Sequence, residues 1–489
     1  RKAIEINPAL SAFYVNLGNT LKDLGKLEEA ATSYQIALEK DPNNSEKIAA
    51  LIEIFSELSS WKDVEKYLGL LSKLDINLQN FNPMKVCNTQ DEPLLYLKRA
   101  SNHFNNKYKC SASEIEFINK KYIHIGYFSA DFKAHPVMYL LARVLELHDS
   151  SKFKVYIYSF SMNEDEYTKR LKKEPFKFRS IYGKSDLEAV EIARNDNLDI
   201  AIDLMGQTKN NRMKIFSYRV SPVQICYLCC TTGSKEIDYF IGDKVIIPEQ
   251  FKKYYSEEIL YMPNSFMCFD DTRDISYISF TRKDFNLPND AFVMAAFHRN
   301  LKITLKEIDS WSRILNNVSN AKLWISSTNK IAEKNILKAF QERGVKIENI
   351  LFAPRMRSND EHLSRHKCAD LFIDTFNWNA ASTAIDSLWL GLPVVTLLGK
   401  SFTARTCASL LTTLGLTELI AHTEKEYEDI IIFLAKNPKN LREIKIKLLN
   451  SKYINPLFNS KQFTENLERI YCNLVDNLKY EDSFKKNHS

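Results

Sequence analysis

The spacing of apolar positions changes along the chain, and the changes divide it into stretches of different architecture. Up to about residue 72, apolar and small residues recur every three or four positions, the period of amphipathic helices. Residues 73–120 are mixed, with the loop-like NLQNFNPMKVCNTQDEP followed by a helical pattern from Leu94 to about Tyr108. From Lys121 onward, short apolar runs of strand length alternate with helical patterns such as Met138–Leu147 and Ser185–Arg194. One set of runs is Tyr122–Phe128, Lys154–Phe160, Ile200–Leu204, Val223–Leu228 and Tyr239–Ile241. A second is Ala291–Phe297, Lys322–Ile325, Ile350–Phe352, Leu371–Ile373 and Val394–Leu398, followed by a helix over roughly Thr403–Leu414. Strands alternating with helices predict parallel sheets covered on both faces, the α/β class. Two sets predict two lobes, divided near residues 268–285, with a cleft between them. A final helical pattern, Ser460 to about Asn477, runs into the charged tail YEDSFKKNHS, which is expected to fray.

The first stretch carries a repeat. Pro8 and Pro42 are 34 residues apart, as are Ala3 and Ala37. Tyr14, Leu17, Gly18, Leu21, Ala30, Tyr34 and Ala37 occupy the pattern positions of a tetratricopeptide repeat, in which small residues let two helices approach. Leu51, Phe55, Val64 and Leu68 continue the frame without its Gly and Ala signature, as a terminal capping unit would. Such an array binds extended protein segments, so a protein partner is expected along it; a helical spacer is the plainer alternative.

The second α/β set is organised around Asp374–Gly399, DTFNWNAASTAIDSLWLGLPVVTLLG. The apolar run Leu371–Ile373 gives way to a loop, then to a helical pattern that starts near Ser382 and stops at Gly391-Leu392-Pro393. Ser382 and Thr383 fall where unpaired N–H groups and the positive end of a helix dipole make a phosphate site. Asp386, one turn on, shares the face of Ser382 and suits a sugar hydroxyl. The plainer reading makes Ser382 an N-cap and Asp386 a first-turn carboxylate. Three further clusters follow strand ends. SADFKAHPV holds His135, which Pro136 biases towards extended backbone and which could serve as acid, base or donor to an anion. AFHRNLKIT holds three potential cations, His298, Arg299 and Lys302, suited to a phosphate-bearing leaving group. APRMRSNDEHLSRH holds His362 and Arg365, i,i+3 neighbours on an expected helix, where a solvated face is the usual explanation. Together the four point to a nucleotide diphosphate.

Composition adds exclusions. At 489 residues the chain has room for about three domains, and 45% hydrophobic with 26% charged residues is ordinary for a globular protein. Lys and Arg number 67 against 61 Asp and Glu, an excess of 6 that is dispersed; it is too weak to argue for nucleic acid, so none is expected, though it suits an anionic small molecule. No apolar run reaches the roughly 20 residues of a membrane span, there is no secretory signal, and Arg1 already lies in a helical pattern. The chain reads as part of a longer, cytoplasmic polypeptide. Nine cysteines form no disulfide framework; Cys226, Cys229 and Cys230 sit in apolar VQICYLCC without a second zinc-spaced pair, so buried free thiols are expected.

With these residues in view, the chain resembles the protein O-GlcNAc transferases, in particular their bacterial branch. The resemblance rests on the repeat together with GYFSADFKAHPV, DLMGQTKNNR, IDYFIGDKVIIPEQFKKYYSEEILYMPNSF, LKIT, EHLSRHKCADLFIDTFNWNAASTAIDSLWLGLPVVTLLGKSFTARTCASLL and NPLFNSKQF, and it spans Arg1 to about Leu478. It implies a GT-B fold, two Rossmann-like lobes preceded by an all-α repeat segment, and transfer of a sugar from UDP-GlcNAc to Ser or Thr hydroxyls without metal or other cofactor. The boundaries expected are 1–72 for the repeat, 73–120 for a connector, 121–270 and 271–455 for the lobes, and 456–489 for a final helix and tail. By the same resemblance Lys302 stabilises the departing diphosphate, Ser382 and Thr383 sit at the phosphate-binding helix start, and Asp386 holds the ribose. His362 and Arg365 lie near the uracil, the Ala353 backbone pairs with the base, and His135 belongs close to the reaction centre. His135 is one candidate for the acceptor's proton; the leaving phosphate or a water chain is the alternative. The chain departs from the family at Ala381, where a histidine is usual, at Gln207, at Arg299-Asn300-Leu301, at Asn359, and at Cys229-Cys230-Thr231-Thr232-Gly233, which replaces a glycine-rich turn on the sugar side. These departures keep two alternatives in play: a related transferase using another nucleotide sugar such as GDP-fucose, and a non-catalytic repeat scaffold.

Overall fold

The computed structural model describes residues 2–108, 114–173, 175–273, 279–326 and 329–488. Arg1, residues 109–113 of the expected connector and 274–278 of the expected lobe boundary lie outside the described residues. The chain forms two compact units: Arg1–Asn102 with Asp274–Ala408 and Thr417–Leu449, and His103–Arg273 with Ser409–Leu416 and Asn450–Ser489.

The second of these units is built on β1 (Ile123–Ser129), β2 (Phe153–Ser159), β3 (Lys177–Ser180), β4 (Ile200–Asp203), β5 (Val223–Cys226), β6 (Tyr239–Gly242) and β7 (Glu258–Tyr261). Their order is β3-β2-β1-β4-β5-β6-β7, all parallel. The other unit holds β8 (Phe292–Ala296), β9 (Ala321–Ser326), β10 (Ile350–Ala353), β11 (Leu371–Ile373), β12 (Val394–Leu397) and β13 (Ile420–Ala421), again parallel, in the order β10-β9-β8-β11-β12-β13. Central strands are buried on both faces, which is why they read as unbroken apolar runs. The sequence pattern passed over β3, β7 and β13. All three are edge strands, and β3 (KFRS) buries none of its residues fully, so no apolar signal is required there. In each sheet the strand order reverses beside the first strand, between β1 and β4 and between β8 and β11. Ligands of such sheets bind beyond the carboxyl ends at that point.

The repeat appears as two helix pairs, Ser11–Asp23 with Leu27–Glu39 and Ser45–Glu57 with Trp61–Ser72. Gly18 explains the closeness of the first pair: a Cβ there would lie 2.7 Å from the Tyr34 ring, whose hydroxyl donates to Asn19 Oδ1 at 2.6 Å. These helices belong to the same compact unit as the second sheet. The final helix runs Ser460–His488, so the expected frayed tail is largely helical. It packs on the first sheet's unit, where the Tyr471 and Tyr127 hydroxyls meet at 3.2 Å and Glu468 accepts from Asp149 N at 2.7 Å.

Candidate nucleotide-sugar site

Beyond β8 the chain makes the short turn Asn300–Lys302, and a capping box then starts the helix Leu305–Asn317. Of the three expected cations only Lys302 remains available. His298 is buried and its Nε2–H donates to Ile373 O at 2.9 Å; burial lowers its pKa to about 3, so it is neutral. Arg299 is committed to an ion pair with Glu57. Lys302 Nζ donates to Asn379 O at 2.9 Å and stands 5.0 Å from the centre of the Trp378 ring. Burial draws its pKa down to about 8, against the opposing pull of Asp374.

The loop receiving Lys302 is stapled by two buried carboxylates. Asp374, at the end of β11, accepts from Ala380 N at 2.7 Å, Thr396 Oγ1 at 2.8 Å and Thr375 N at 2.9 Å; burial raises its pKa to about 6. Glu307 accepts from Thr304 N and from Phe376 N, each at 2.7 Å, and so ties the lysine's turn to the same loop. The loop then enters the helix Ser382–Trp389. Its N-cap is Ala381, not Ser382, and no side chain caps the first turn. Ser382 and Thr383 are the first two helical residues, half-buried, three and four positions after the carbonyl that Lys302 touches. Asp386 lies in the next turn and is 5% exposed. The chain thus brings residue 302 to the doorstep of the 382–386 helix, where a diphosphate would meet an ammonium and uncapped backbone N–H groups.

His362 and Arg365 do not form a solvated helix face. Arg365 is 3% exposed, with its guanidinium 4.2 Å above the Phe297 ring and 6.0 Å from that of Trp324. It donates to Pro354 O, next to Ala353 at the end of β10, and to His362 Nδ1, both at 2.7 Å. Since a guanidinium only donates, His362 Nδ1 is the acceptor and the ring proton sits on Nε2. Burial lowers His362 to about 2, keeping it neutral, and lowers Arg365 to about 10, leaving it charged. His366 Nδ1 faces the His362 and Leu363 carbonyls at 3.0 and 3.1 Å and therefore carries its proton. His366 Nε2 and Arg365 Nε are buried without partners. Two neutral imidazoles beside a charged guanidinium stacked on aromatic walls suit a planar base.

His135 belongs to the first sheet's unit. It is the N-cap of the helix Pro136–Glu146, with extended backbone (φ −149°, ψ 151°) as its place before proline requires. Val137 N donates to its Nδ1 at 3.4 Å, and Asp131 Oδ2 stands 3.5 Å away. Burial lowers its pKa, and Asp131 offsets this only in part. In the cysteine-bearing loop, Cys229 Sγ packs 2.8 Å from Cys226 Sγ and against Gly206, where a Cβ would come within 2.6 Å of it. Thr232 donates to Glu257 through its N–H (2.6 Å) and hydroxyl (2.5 Å), and Gln207 donates to Thr232 O at 2.6 Å. The eight described cysteines are free thiols, and among the described residues no group of three or more His, Cys, Asp or Glu could hold a metal ion. A groove of about 710 Å³ lies in the second sheet's unit, between the Trp61–Ser72 helix and residues 303–306 and 397–400, with Asn88 and Asn377 also in its lining.

Comparison with known proteins identifies the family and the fold. The profile of glycosyl transferase family 41 matches residues 90–280 and 270–467, and a tetratricopeptide repeat profile matches 11–44. A probable UDP-N-acetylglucosamine–peptide N-acetylglucosaminyltransferase SEC of Arabidopsis thaliana is 31% identical over 361 residues, 72% of this chain and 37% of the relative. The corresponding SPINDLY protein of Petunia hybrida is 31% identical over 356 residues, 71% of this chain and 38% of the relative. The chain therefore spans under two-fifths of these relatives. A mutant of the Thermobaculum terrenum O-GlcNAc transferase superposes with a TM-score of 0.82 at 24% identity, over 98% of this chain and 93% of that one, which establishes the repeat-plus-two-lobe GT-B fold.

Proposed function

Because this chain belongs to glycosyl transferase family 41, we propose that it transfers N-acetylglucosamine from UDP-GlcNAc to Ser or Thr hydroxyls of proteins. The observation that carries the reading is the Lys302–Asn379 contact at the mouth of the Ser382–Trp389 helix. Lys302 and the first-turn N–H groups at Ser382 and Thr383 take up the charge that grows on the diphosphate as the sugar departs. Asp386 holds the ribose, and the Ala353 backbone with His362 and Arg365 receives the uracil. An acceptor hydroxyl attacks the anomeric carbon opposite the leaving group, with inversion, and no metal enters the scheme. His135 is the candidate for the acceptor's proton: burial keeps its ring neutral, and Nε2 is free to take a proton in the tautomer whose Nδ1–H points to Asp131 Oδ2, 3.5 Å away, rather than accepting from Val137 N. The acceptor polypeptide lies along the helical repeat, and the reducing cytoplasm is the compartment that fits eight free thiols. No described helix is long and apolar enough to cross a membrane.

The test is co-expression with candidate acceptors, followed by mass spectrometry of their Ser and Thr peptides, with Lys302→Met as control. Sugar-bearing peptides should appear only with the unaltered chain; identical spectra from both would refute the assignment. Thermal shifts with UDP-GlcNAc and GDP-fucose identify the donor, since only a bound ligand raises the midpoint.

A further inference from the structure

We propose that the helical repeat and the connector after it support the donor site: Trp61 of the last repeat helix and Asn88 of the connector are positioning residues that hold the turn carrying Lys302. The inference rests on the assignment of Lys302 to the diphosphate.

Asn300–Lys302 is a three-residue turn with no ladder of its own to stiffen it. The carbonyls on either side of the lysine are instead taken by donors from outside the second sheet. Trp61 Nε1–H donates to Ile303 O at 2.9 Å, and Asn88 Nδ2 donates to Leu301 O at 2.5 Å. Upstream, Arg299 pairs with Glu57. The carbonyls of Glu57 and Leu58, where one repeat helix ends, receive the side-chain amides of Asn329 (3.1 Å) and Asn335 (2.9 Å). These bonds moor the last helix pair beside the turn.

Asn88 is the pivotal member. It is 2% exposed, and while its side chain grips Leu301 O, its own carbonyl accepts from Asn377 Nδ2 at 2.9 Å. Asn377 lies in the loop with Trp378 and Asn379, the two residues Lys302 touches. One residue outside the lobe therefore spans the lysine's turn and the lysine's receiving loop. Lys302 reaches the phosphate position only while those two segments stay in register, and a shift of about 1 Å can cost on the order of a hundredfold in rate. The aromatic body of Trp61 is a separate matter from its donor: packing needs the ring, but only the N–H fixes Ile303 O.

The experiment is calorimetric titration of UDP and of uridine into the full chain and into Trp61→Phe, Asn88→Ala, Lys302→Met and Trp61→Phe/Lys302→Met. For Trp61→Phe and Asn88→Ala we expect UDP to bind about five- to tenfold more weakly with uridine affinity unchanged, while the lost hydrogen bonds lower the denaturation midpoint, more for the buried Asn88. In the double variant, Trp61→Phe should add little to the loss already caused by Lys302→Met, since both act through one ammonium. Unchanged UDP affinity in Trp61→Phe, equal losses for UDP and uridine, or a full Trp61→Phe effect without Lys302 would each overturn the inference. Unchanged UDP affinity in Lys302→Met would instead overturn the donor-site reading beneath it. Should Asn88→Ala fail to fold, hydrogen exchange on the unaltered chain decides: UDP, but not uridine, should slow exchange in the Trp61–Ser72 helix, and no slowing refutes the coupling.

Discussion

Asp374→Asn separates the charge of the buried staple from its shape. The amide oxygen of asparagine can still accept from Ala380 N and Thr375 N, and its nitrogen can donate to the Thr396 hydroxyl, which also accepts. The fold should therefore lose only about 1 kcal/mol. What disappears is the negative charge that opposes the loss of Lys302's proton. A diphosphate binds best to the charged lysine, so affinity is full below the lysine's pKa in the free protein and falls as pH rises through it. That value is about 8, and at pH 7.5 roughly three-quarters of such lysines are charged. An opposite charge nearby is worth about one to three pH units, so removing it should move the midpoint at least about one unit lower. With a shift of about one to two units, the charged fraction at pH 7.5 drops about three- to twenty-five-fold, and apparent UDP affinity drops with it. The assay is UDP titration calorimetry from about pH 6.5 to 9, where phosphate ionisation with a pKa of about 6 is mostly complete. Coincident pH profiles for the two proteins would refute the account.

Two further substitutions probe the nucleobase pocket and the repeat. Arg365→Lys cannot lie flat on Phe297 while donating towards both Pro354 and His362, so uridine and UDP should both weaken, by about tenfold. That pattern is opposite to the UDP-only loss expected of Trp61→Phe, and intact uridine binding would count against the pocket. Gly18→Ala gains about 1 kcal/mol of helix propensity but drives a methyl into the Tyr34 ring, at a cost of about 1–3 kcal/mol, so urea denaturation should show a net loss. A more stable variant would show that the two helices can part without penalty.

The residues of the proposed donor site could be marked in the sequence because they cluster where strands end. Lys302, the Ser382 helix and the His362–Arg365 pair could each be marked from local spacing. Their environments could not, because those come from residues far away in the chain. That His298 is spent on Ile373 O and Arg299 on Glu57 depends on pairings no local pattern encodes. Thr304-x-x-Glu307 announces a capping box, yet nothing in it says that the other carboxylate oxygen reaches Phe376 N. Trp61 reads as one more apolar position of a helix, and Asn88 as one polar residue of a loop. The edge strands β3, β7 and β13 were missed for a related reason, since a strand paired on one side can be short or weakly apolar.

The meeting of Tyr127 with Tyr471 bears on biosynthesis. Residues 103–273 leave the ribosome long before the helix Ser460–His488 that packs on them, with the whole second sheet made in between. During that interval the early lobe has neither the Tyr471 hydroxyl nor the Glu468 carboxylate to complete it, and its surface there is open to wrong partners. A lobe arranged this way cannot mature strictly from front to back: a helix made only after the whole second sheet completes it.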